Sequence, residues 1–441
     1  MRSDSESLTY RPPGTEWLGE IPAHWEVLPL RRLARNIATG RTPPSTDEDY
    51  FSEGTILWIT PGDFGSDLEL KSSARRITSK AVQNGVATLF PPRSIMLVGI
   101  GATLGKVAVN VRPASANQQI NAIIPEKDCD SHYLAYFLHG FREEVRVMSN
   151  GNTLGILNQE GTKSLTVLKP PLDVQRRIAR FLDEKTARID ALIAKKRALL
   201  DRLAEKRQAL ITRAVTRGLD PDAPMKPSGI DWLGEIPAHW ETGNIRRFAS
   251  MKTGHTPSRS VKEYWEDCTI PWFTLADVWQ LRDGTRWYLR ETKEKISELG
   301  LANSAAELLP AGTVVFSRTA SVGYSGIMPE PMATSQDFWN WVCGPKLIPE
   351  HLLLLFRSMT QKFEESTSGS THKTIYQGIA AGLEICVPPL GEQRAIADYA
   401  LHQAAQLDGL VAKVNQSIDR LAEYRAALVT AAVTGQIESL R

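Results

Sequence analysis

WLGEIPAHWE occupies residues 17–26 and, letter for letter, residues 232–241. A ten-residue identity 215 positions apart in one chain marks an internal repeat, and outward from both copies the match runs almost end to end. TGRTPP (39–44) is answered by TGHTPS (253–258), ILWITPGDF (56–64) by IPWFTLADV (270–278), and IMLVGIGATLGKVAV (95–109) by VVFSRTASVGYSGIM (314–328). NQQI at 117 matches SQDF at 335, SNGNT at 149 matches TSGST at 367, PPL at 170 recurs at 388, and DRLAE at 201 recurs at 419. The 441 residues are therefore two versions of one unit, each a globular domain followed by a helix.

Within each globular part, short runs rich in Val, Ile, Phe and Trp alternate with Gly/Pro/Asn/Asp turn signals, which predicts strands and loops. SHYLAYFLHGFREEVRVM (131–148) and PEHLLLLFRSMTQKFEE (349–365) have helical spacing, so the class is α+β, with mixed α/β domains. After each PPL, apolar residues fall at steps of four and three. In the first copy they are Ile178, Leu182, Ile189, Leu192, Leu199, Leu203 and Leu210; in the second, Ile396, Leu407, Leu410, Val414, Leu421, Tyr424 and Leu428. Lys185, Lys196 and Lys206 interrupt the first seam, their stems able to lie along it while the ammonium groups reach water.

Helices of about 45 residues are roughly 68 Å long, whereas a domain is only about 40 Å across. The short linker LDPDAPMKPSGI leads at once into the second domain, so the two helices are expected to pair antiparallel as a coiled-coil spacer between pseudo-symmetric domains. The expected segments are residues 1–172 (first domain), 173–217 (first helix), 218–229 (linker), 230–390 (second domain), 391–435 (second helix) and 436–441 (tail).

The net charge of +2 conceals an uneven distribution. Residues 173–217 carry 13 Lys/Arg against 6 Asp/Glu, while residues 391–441 carry 5 against 6. Arg176, Arg177, Arg180, Lys195, Lys196, Arg197, Arg202, Lys206 and Arg207 thus form a basic helix that suits solvent, a DNA backbone or an acidic partner surface. No apolar run reaches membrane-spanning length and the first residues are polar, so a cytoplasmic protein without a membrane partner is expected. Cys129, Cys268, Cys343 and Cys386 are scattered and form no CxxC pair, and the eight histidines form no ligand cluster, so no metal is expected.

What the two halves share serves tasks done twice; what differs serves tasks done once. The decapeptide belongs to the first group, as core packing or as a docking surface. The dissimilar stretches, residues 65–88 against 279–308 and the loops after Asn150 and Ser368, belong to the second. A spacer holding two related but unequal readers suits double-stranded DNA, with readers about one helical turn, roughly 34 Å, apart.

Tandem domains with TGxTP near the start of each, closed by PPL and then VQRRIA or EQRAIA and followed by a long helix with DRLAE, resemble the specificity subunit of a type I restriction-modification system. The resemblance covers essentially the whole chain. It implies two target-recognition domains, each contacting one half of an asymmetric bipartite DNA site, and a helical spacer that docks two adenine methyltransferase subunits and the motor-nuclease subunits. It also implies that this chain holds no catalytic residue and no cofactor. S-adenosylmethionine would sit in the methyltransferase, ATP and Mg in the motor-nuclease.

Other chemistry is poorly supported by the residues. VGIGATLGKV (98–107) has Ile100 where a phosphate loop needs Gly and Val107 where it needs a hydroxyl, so a tight strand-to-strand turn is expected. Asp63, Glu69 and Lys71 would be the core of a metal-dependent nuclease, but the second copy keeps only Asp277. A protein-bridging scaffold that binds no DNA is a further alternative. No NPPY- or DPPY-like methyltransferase signature occurs. Candidate DNA contacts are Arg41, Lys106, Asn152, Thr153 and Asn158 in the first half. In the second they are His255, Arg259, Arg318, Tyr324, Ser370, Thr371, His372, Lys373 and Tyr376.

Overall fold

The computed structural model describes residues 10–11, 18–65, 67–147, 149, 155–282, 284–319, 321–360, 362–363 and 374–440. They form two compact units, Met1–Lys195 with Ser417–Arg441, and Lys196–Gln416. The units are not consecutive in sequence, because each takes part of both long helices.

In the first unit, β1 (Ala34–Thr39), β4 (Ile95–Val98), β5 (Val107–Asn110) and β7 (Ile120–Pro125) form an antiparallel sheet in the order β1-β7-β4-β5, extended by the short strand Glu69–Leu70. A smaller sheet joins β2 (Ile56–Ile59) to β3 (Arg75–Ile77) antiparallel and to β6 (Ala114–Ala116) parallel. Every residue of β4 is buried, the signature of a strand covered on both faces. One cover is α1 (Ser131–Gly140), started by Asp130, whose carboxylate accepts from the amides of His132 and Tyr133.

The second unit repeats this plan. β8 (Ala249–Thr253), β11 (Val314–Ser317), β12 (Ser325–Ile327) and β14 (Phe338–Cys343) give the order β8-β14-β11-β12. β9 (Ile270–Phe273) pairs with β10 (Glu294–Ile296) and, in parallel, with β13 (Ala333–Thr334). The covering helix is α3 (Pro349–Ser358), with Pro at its first position, where no amide is needed.

The long helices are α2 (Leu172–Arg217) and α4 (Leu390–Val433), and each unit holds the start of one and the end of the other. The starts are fixed by a buried glutamine. Gln175 donates to the Pro170 and Asp128 carbonyls and accepts from the Asp130 amide; Gln393 donates to Pro388 and Lys346 and accepts from the Ile348 amide. The ends are fixed by the decapeptide. Ile21 and Trp25 pack with Val429, Ala432 and Val433 of α4, and Ile236 and Trp240 pack with Ile211, Ala214 and Val215 of α2. Both helices stop at a glycine with positive φ, Gly218 and Gly435, facing those tryptophans. Among its described residues the decapeptide packs into the core through Leu18, Ile21, Pro22 and Trp25 and through Leu233, Ile236, Pro237 and Trp240, whereas its Glu and His side chains are exposed.

Side by side, the helices run antiparallel. Arg425 pairs with Asp190 at 3.0 Å in the first unit, and Arg207 pairs with Asp408 at 3.0 Å in the second. Asp408 is the repeat of Asp190 and Arg425 the repeat of Arg207, so the same ion pair is made once in each unit with the helices exchanging roles.

The expected seam needs correction at four positions, while Ile178, Leu182, Ile189, Leu203, Leu210, Ile396, Leu407, Val414, Leu421 and Leu428 are buried or half-buried. Leu192 and Leu199 are each 44% exposed, Leu410 is 49% and Tyr424 58%. The covered positions are Ile189, Ile193, Lys196, Leu200, Leu203 and Arg207 on α2, with Leu407, Val411, Val414, Ile418, Leu421 and Arg425 on α4. Lys185 and Lys196 are half-buried, as a stem along the seam requires, whereas Lys206 is exposed.

His351 of α3 is fully buried where the first unit has Tyr133, whose hydroxyl donates to the Leu168 carbonyl at 3.2 Å. Burial pushes His351 down from 6.5 to about 4, the Cys386 backbone pulling weakly the other way. Because its folded value lies below its unfolded one, the stability of the neutral form is full above pH 6.5 and is lost as pH falls toward 4. The expected loss is about 3 kcal/mol. Urea unfolding at pH 7 and pH 4.5 checks this: His351→Tyr, the residue of the other half, should shrink the pH dependence, and an unchanged dependence would refute it.

Candidate nucleic-acid interface

The TG turn is built identically in both units. A Cβ on Gly40 would lie 2.3 Å from the carbonyl oxygens of Ala116 and Asn117, and one on Gly254 would lie 2.2 Å from those of Thr334 and Ser335, so only glycine permits the approach. The next residue is then held by its backbone. The Arg41 amide donates to Ala116 at 2.8 Å and its carbonyl accepts from Trp58 Nε1 at 3.2 Å; the His255 amide donates to Thr334 at 3.0 Å and its carbonyl accepts from Trp272 Nε1 at 3.2 Å. The following threonines, Thr42 and Thr256, donate to the exposed Gln118 and Gln336. One frame thus presents two different exposed side chains, Arg41 and His255. Arg41 also reaches the Gly85 carbonyl at 2.8 Å.

The glycine-rich segment is a hairpin between β4 and β5, with Gly101 and Gly105 at positive φ, as the sequence predicts. Lys106 does not face a phosphate cradle; it donates to the Phe64 carbonyl at 3.1 Å. It lines a cavity of about 120 Å³ with His139, Arg142 and Arg425. Burial first, then the neighbouring Arg425 and Arg142 charges, hold His139 below its usual range. In the second unit Tyr324, exposed at the equivalent hairpin, edges a larger cavity of about 550 Å³ beside Arg207, Gly284 and Arg357. There Arg207 and Arg357 both donate to the Gly284 carbonyl and so fasten a divergent loop to α2.

Near the hairpin base the halves diverge on a common hydrogen bond. Asn121 Nδ2 donates to the Leu157 carbonyl at 2.9 Å, and Trp339 Nε1 donates to the equivalent Ile375 carbonyl, also at 2.9 Å. With Asn121 goes Gly99, whose Cβ would lie 2.6 Å from the Leu157 oxygen; with Trp339 goes Arg318, stacked over the indole at 4.4 Å. Asn158 caps the helix Gln159–Ser164, accepting from the Gly161 amide at 2.8 Å, so its carbonyl oxygen has a local structural task. Its counterpart Tyr376 is the N-cap of Gln377–Ala381, but its side chain makes no cap hydrogen bond and the residue is 67% exposed. Asn152, Thr153, Ser370, Thr371, His372 and Lys373 lie outside the described residues.

Arg259 is exposed, sits over Trp265 at 3.9 Å and is paired with Glu294 at 2.5 Å. Sequence reasoning missed Arg75, which lies over Phe51 at 4.2 Å. The signal was Arg75 in strand register opposite Trp58, visible only once β2 and β3 are paired.

Asp63 is spent as a cap rather than poised for a metal. Its Oδ2 accepts from the Thr60 amide and hydroxyl and its Oδ1 from the Ala74 amide; Asp277 makes the same set to Thr274 and Lys293. Glu69 and Lys71 pair with each other at 3.2 Å. Among the described residues no group of three His, Cys, Asp or Glu could hold a metal ion, and no helix is long and apolar enough to cross a membrane.

The model of the type I restriction modification DNA specificity domain matches residues 22–202 and 237–420. The type I restriction enzyme MjaIX specificity subunit of Methanocaldococcus jannaschii is 29% identical over 37% of this chain and 38% of its own length. The EcoprrI specificity subunit of Escherichia coli is 30% identical over 37% of this chain and 42% of its own, so the match spans less than half of either relative. The putative MjaX specificity subunit of M. jannaschii aligns over 95% of both chains at 22% identity. In fold, the chain matches one from the type I R-M system with a TM-score of 0.72 at 16% identity, over 95% of this chain and 99% of that one. It matches the HsdS subunit of Thermoanaerobacter tengcongensis with a TM-score of 0.52 at 14% identity, over 95% and 98%.

Proposed function

The chain belongs to the type I restriction modification DNA specificity family, and from that premise we propose that each globular domain reads one half of an asymmetric, split DNA site for enzymes that this chain recruits. The observation that carries the reading is the duplicated TG frame, which holds one backbone geometry and offers Arg41 in one half and His255 in the other. Gly99 with Asn121 against half-buried Arg318 with Trp339 is a second difference, built on a shared buried hydrogen bond. Shared backbone and unequal exposed side chains are what two readers of different base sequences require.

The long helices set the separation of the half-sites and dock two adenine methyltransferase subunits. In support, α2 and α4 each keep an apolar stripe outside their seam. Leu192 on α2 and Leu410 on α4 are repeat-equivalent and both exposed. The partner supplies S-adenosylmethionine and the methyl transfer; motor-nuclease subunits supply ATP- and Mg-dependent cleavage. Arg176, Lys195, Arg197, Arg202 and Lys206 of α2 are exposed to a DNA or partner surface, whereas Arg207 is committed to Asp408.

Equilibrium binding of a duplex to the chain copurified with its methyltransferase tests this. With six to ten phosphate contacts, affinity should fall by about 10³–10⁵ between 50 and 200 mM salt, and a sequence preference should persist. Affinity indifferent to salt, or no DNA binding, would contradict it.

A further inference from the structure

Each unit carries a pair of touching aromatic rings beside its TG turn. Phe51 and Trp58 meet edge to face with centroids 5.8 Å apart, and Trp265 and Trp272 meet likewise at 5.4 Å. Trp58 and Trp272 are the indoles that hold the Arg41 and His255 carbonyls, so each platform backs directly onto a turn that presents a candidate DNA contact.

A guanidinium covers each platform, yet it arrives from different places in the chain. In the first unit it is Arg75, on β3 opposite Trp58, 4.2 Å from Phe51 and 5.2 Å from Trp58. In the second unit the residue opposite Trp272 is Glu294, and the guanidinium belongs to Arg259, 3.9 Å from Trp265 and 5.4 Å from Trp272. In the repeat Arg259 falls where the first half has Ser45. The two halves have thus exchanged both positions and kept a cation over the rings. They differ in its freedom: Arg259 is bound to Glu294 at 2.5 Å, whereas among the described residues no hydrogen bond or ion pair ties the Arg75 guanidinium.

We propose that Arg75 and Arg259 are equivalent contacts to DNA phosphate, one per half-site, and that Glu294 occupies the second until a phosphate oxygen displaces it. This rests on the DNA-reading function proposed above. Two half-sites of different sequence have the sugar-phosphate backbone in common, so a group restored by a different route in each half serves what both half-sites share. Cation–π attraction holds a guanidinium over a ring without using its N–H donors, and both Arg75 and Arg259 are exposed, so those donors can serve an oxyanion. The Glu294 carboxylate shows that such an anion fits the second platform.

The test uses the full chain copurified with its methyltransferase and a duplex containing its site, with affinity followed against salt. Arg75→Gln should weaken binding about five- to tenfold at 0.1 M salt, equally for duplexes altered in either half-site, and lower the salt slope by about one. Arg75→Lys should restore most of the slope. Glu294→Gln should tighten binding and raise the slope by about one, and adding Arg259→Gln should cancel that gain. If the parent complex binds with steep salt dependence but Arg75→Gln and Glu294→Gln change only the melting temperature, the guanidinium is a lid on the rings and the proposal fails alone. A loss confined to one base sequence would overturn the phosphate assignment in favour of base reading. A parent complex without salt-dependent binding would remove this proposal together with the function on which it rests.

Discussion

Trp25→Ala is expected to destabilise the first unit by about 3–5 kcal/mol, and Trp240→Ala the second by a similar amount. Each indole is 1% exposed and lies where a domain meets the end of a long helix. The fit leaves no slack: a Cβ on Gly435 would come within 2.8 Å of Trp25 Cη2, and one on Gly218 within 3.2 Å of Trp240 Cζ2. Truncating either ring empties a closed joint that the rigid helix end cannot collapse to fill. Trp240→Ala also strips a donor from Glu392, which Trp240 Nε1 meets at 2.9 Å. His24 is an exposed member of the same decapeptide, and His24→Ala should change stability by no more than about 0.5 kcal/mol. Urea unfolding of the three variants decides the matter. Tryptophan variants within 1 kcal/mol of the parent, or a His24 variant as damaged as they are, would return the decapeptide to the role of a docking surface.

The repeat and the α+β class were legible because identity at a fixed offset and alternating strand signals are properties of the chain alone. The antiparallel helix pair was legible for a different reason: helix length and linker length left no other closure. Four seam positions, Leu192, Leu199, Leu410 and Tyr424, were not. Ile189, Leu192 and Leu199 satisfy heptad spacing as well as Ile189, Ile193, Lys196 and Leu200 do, because each helix carries two apolar stripes and only packing says which is covered. Arg207 was legible only as one of the basic residues of the helix, yet it belongs to the seam since Asp408 on the facing helix answers it. Asn158 carried a readable signal, an Asn directly before a short helix, that its resemblance to a base-reading amide obscured. Arg75 carried none, since its partner Trp58 is 17 residues away and becomes its neighbour only through strand register. The exchange of Arg75 and Ser45 for Glu294 and Arg259 shows the limit of aligning the halves: one arrangement in space was written at two different places in the sequence.

If two sister domains each read one half of a single split site, replacing residues 230–390 by the corresponding domain of a relative with another specificity should change one half of that site alone. The readout is the map of methylated adenines in the host genome, for the parent, the exchanged chain and a strain lacking the gene. The parent motif should be split and asymmetric, disappear on deletion, and be replaced in the exchanged strain by a motif with one half new and the other half and the gap unchanged. Both halves changing together, a continuous motif, or a methylation map indifferent to the gene would contradict it.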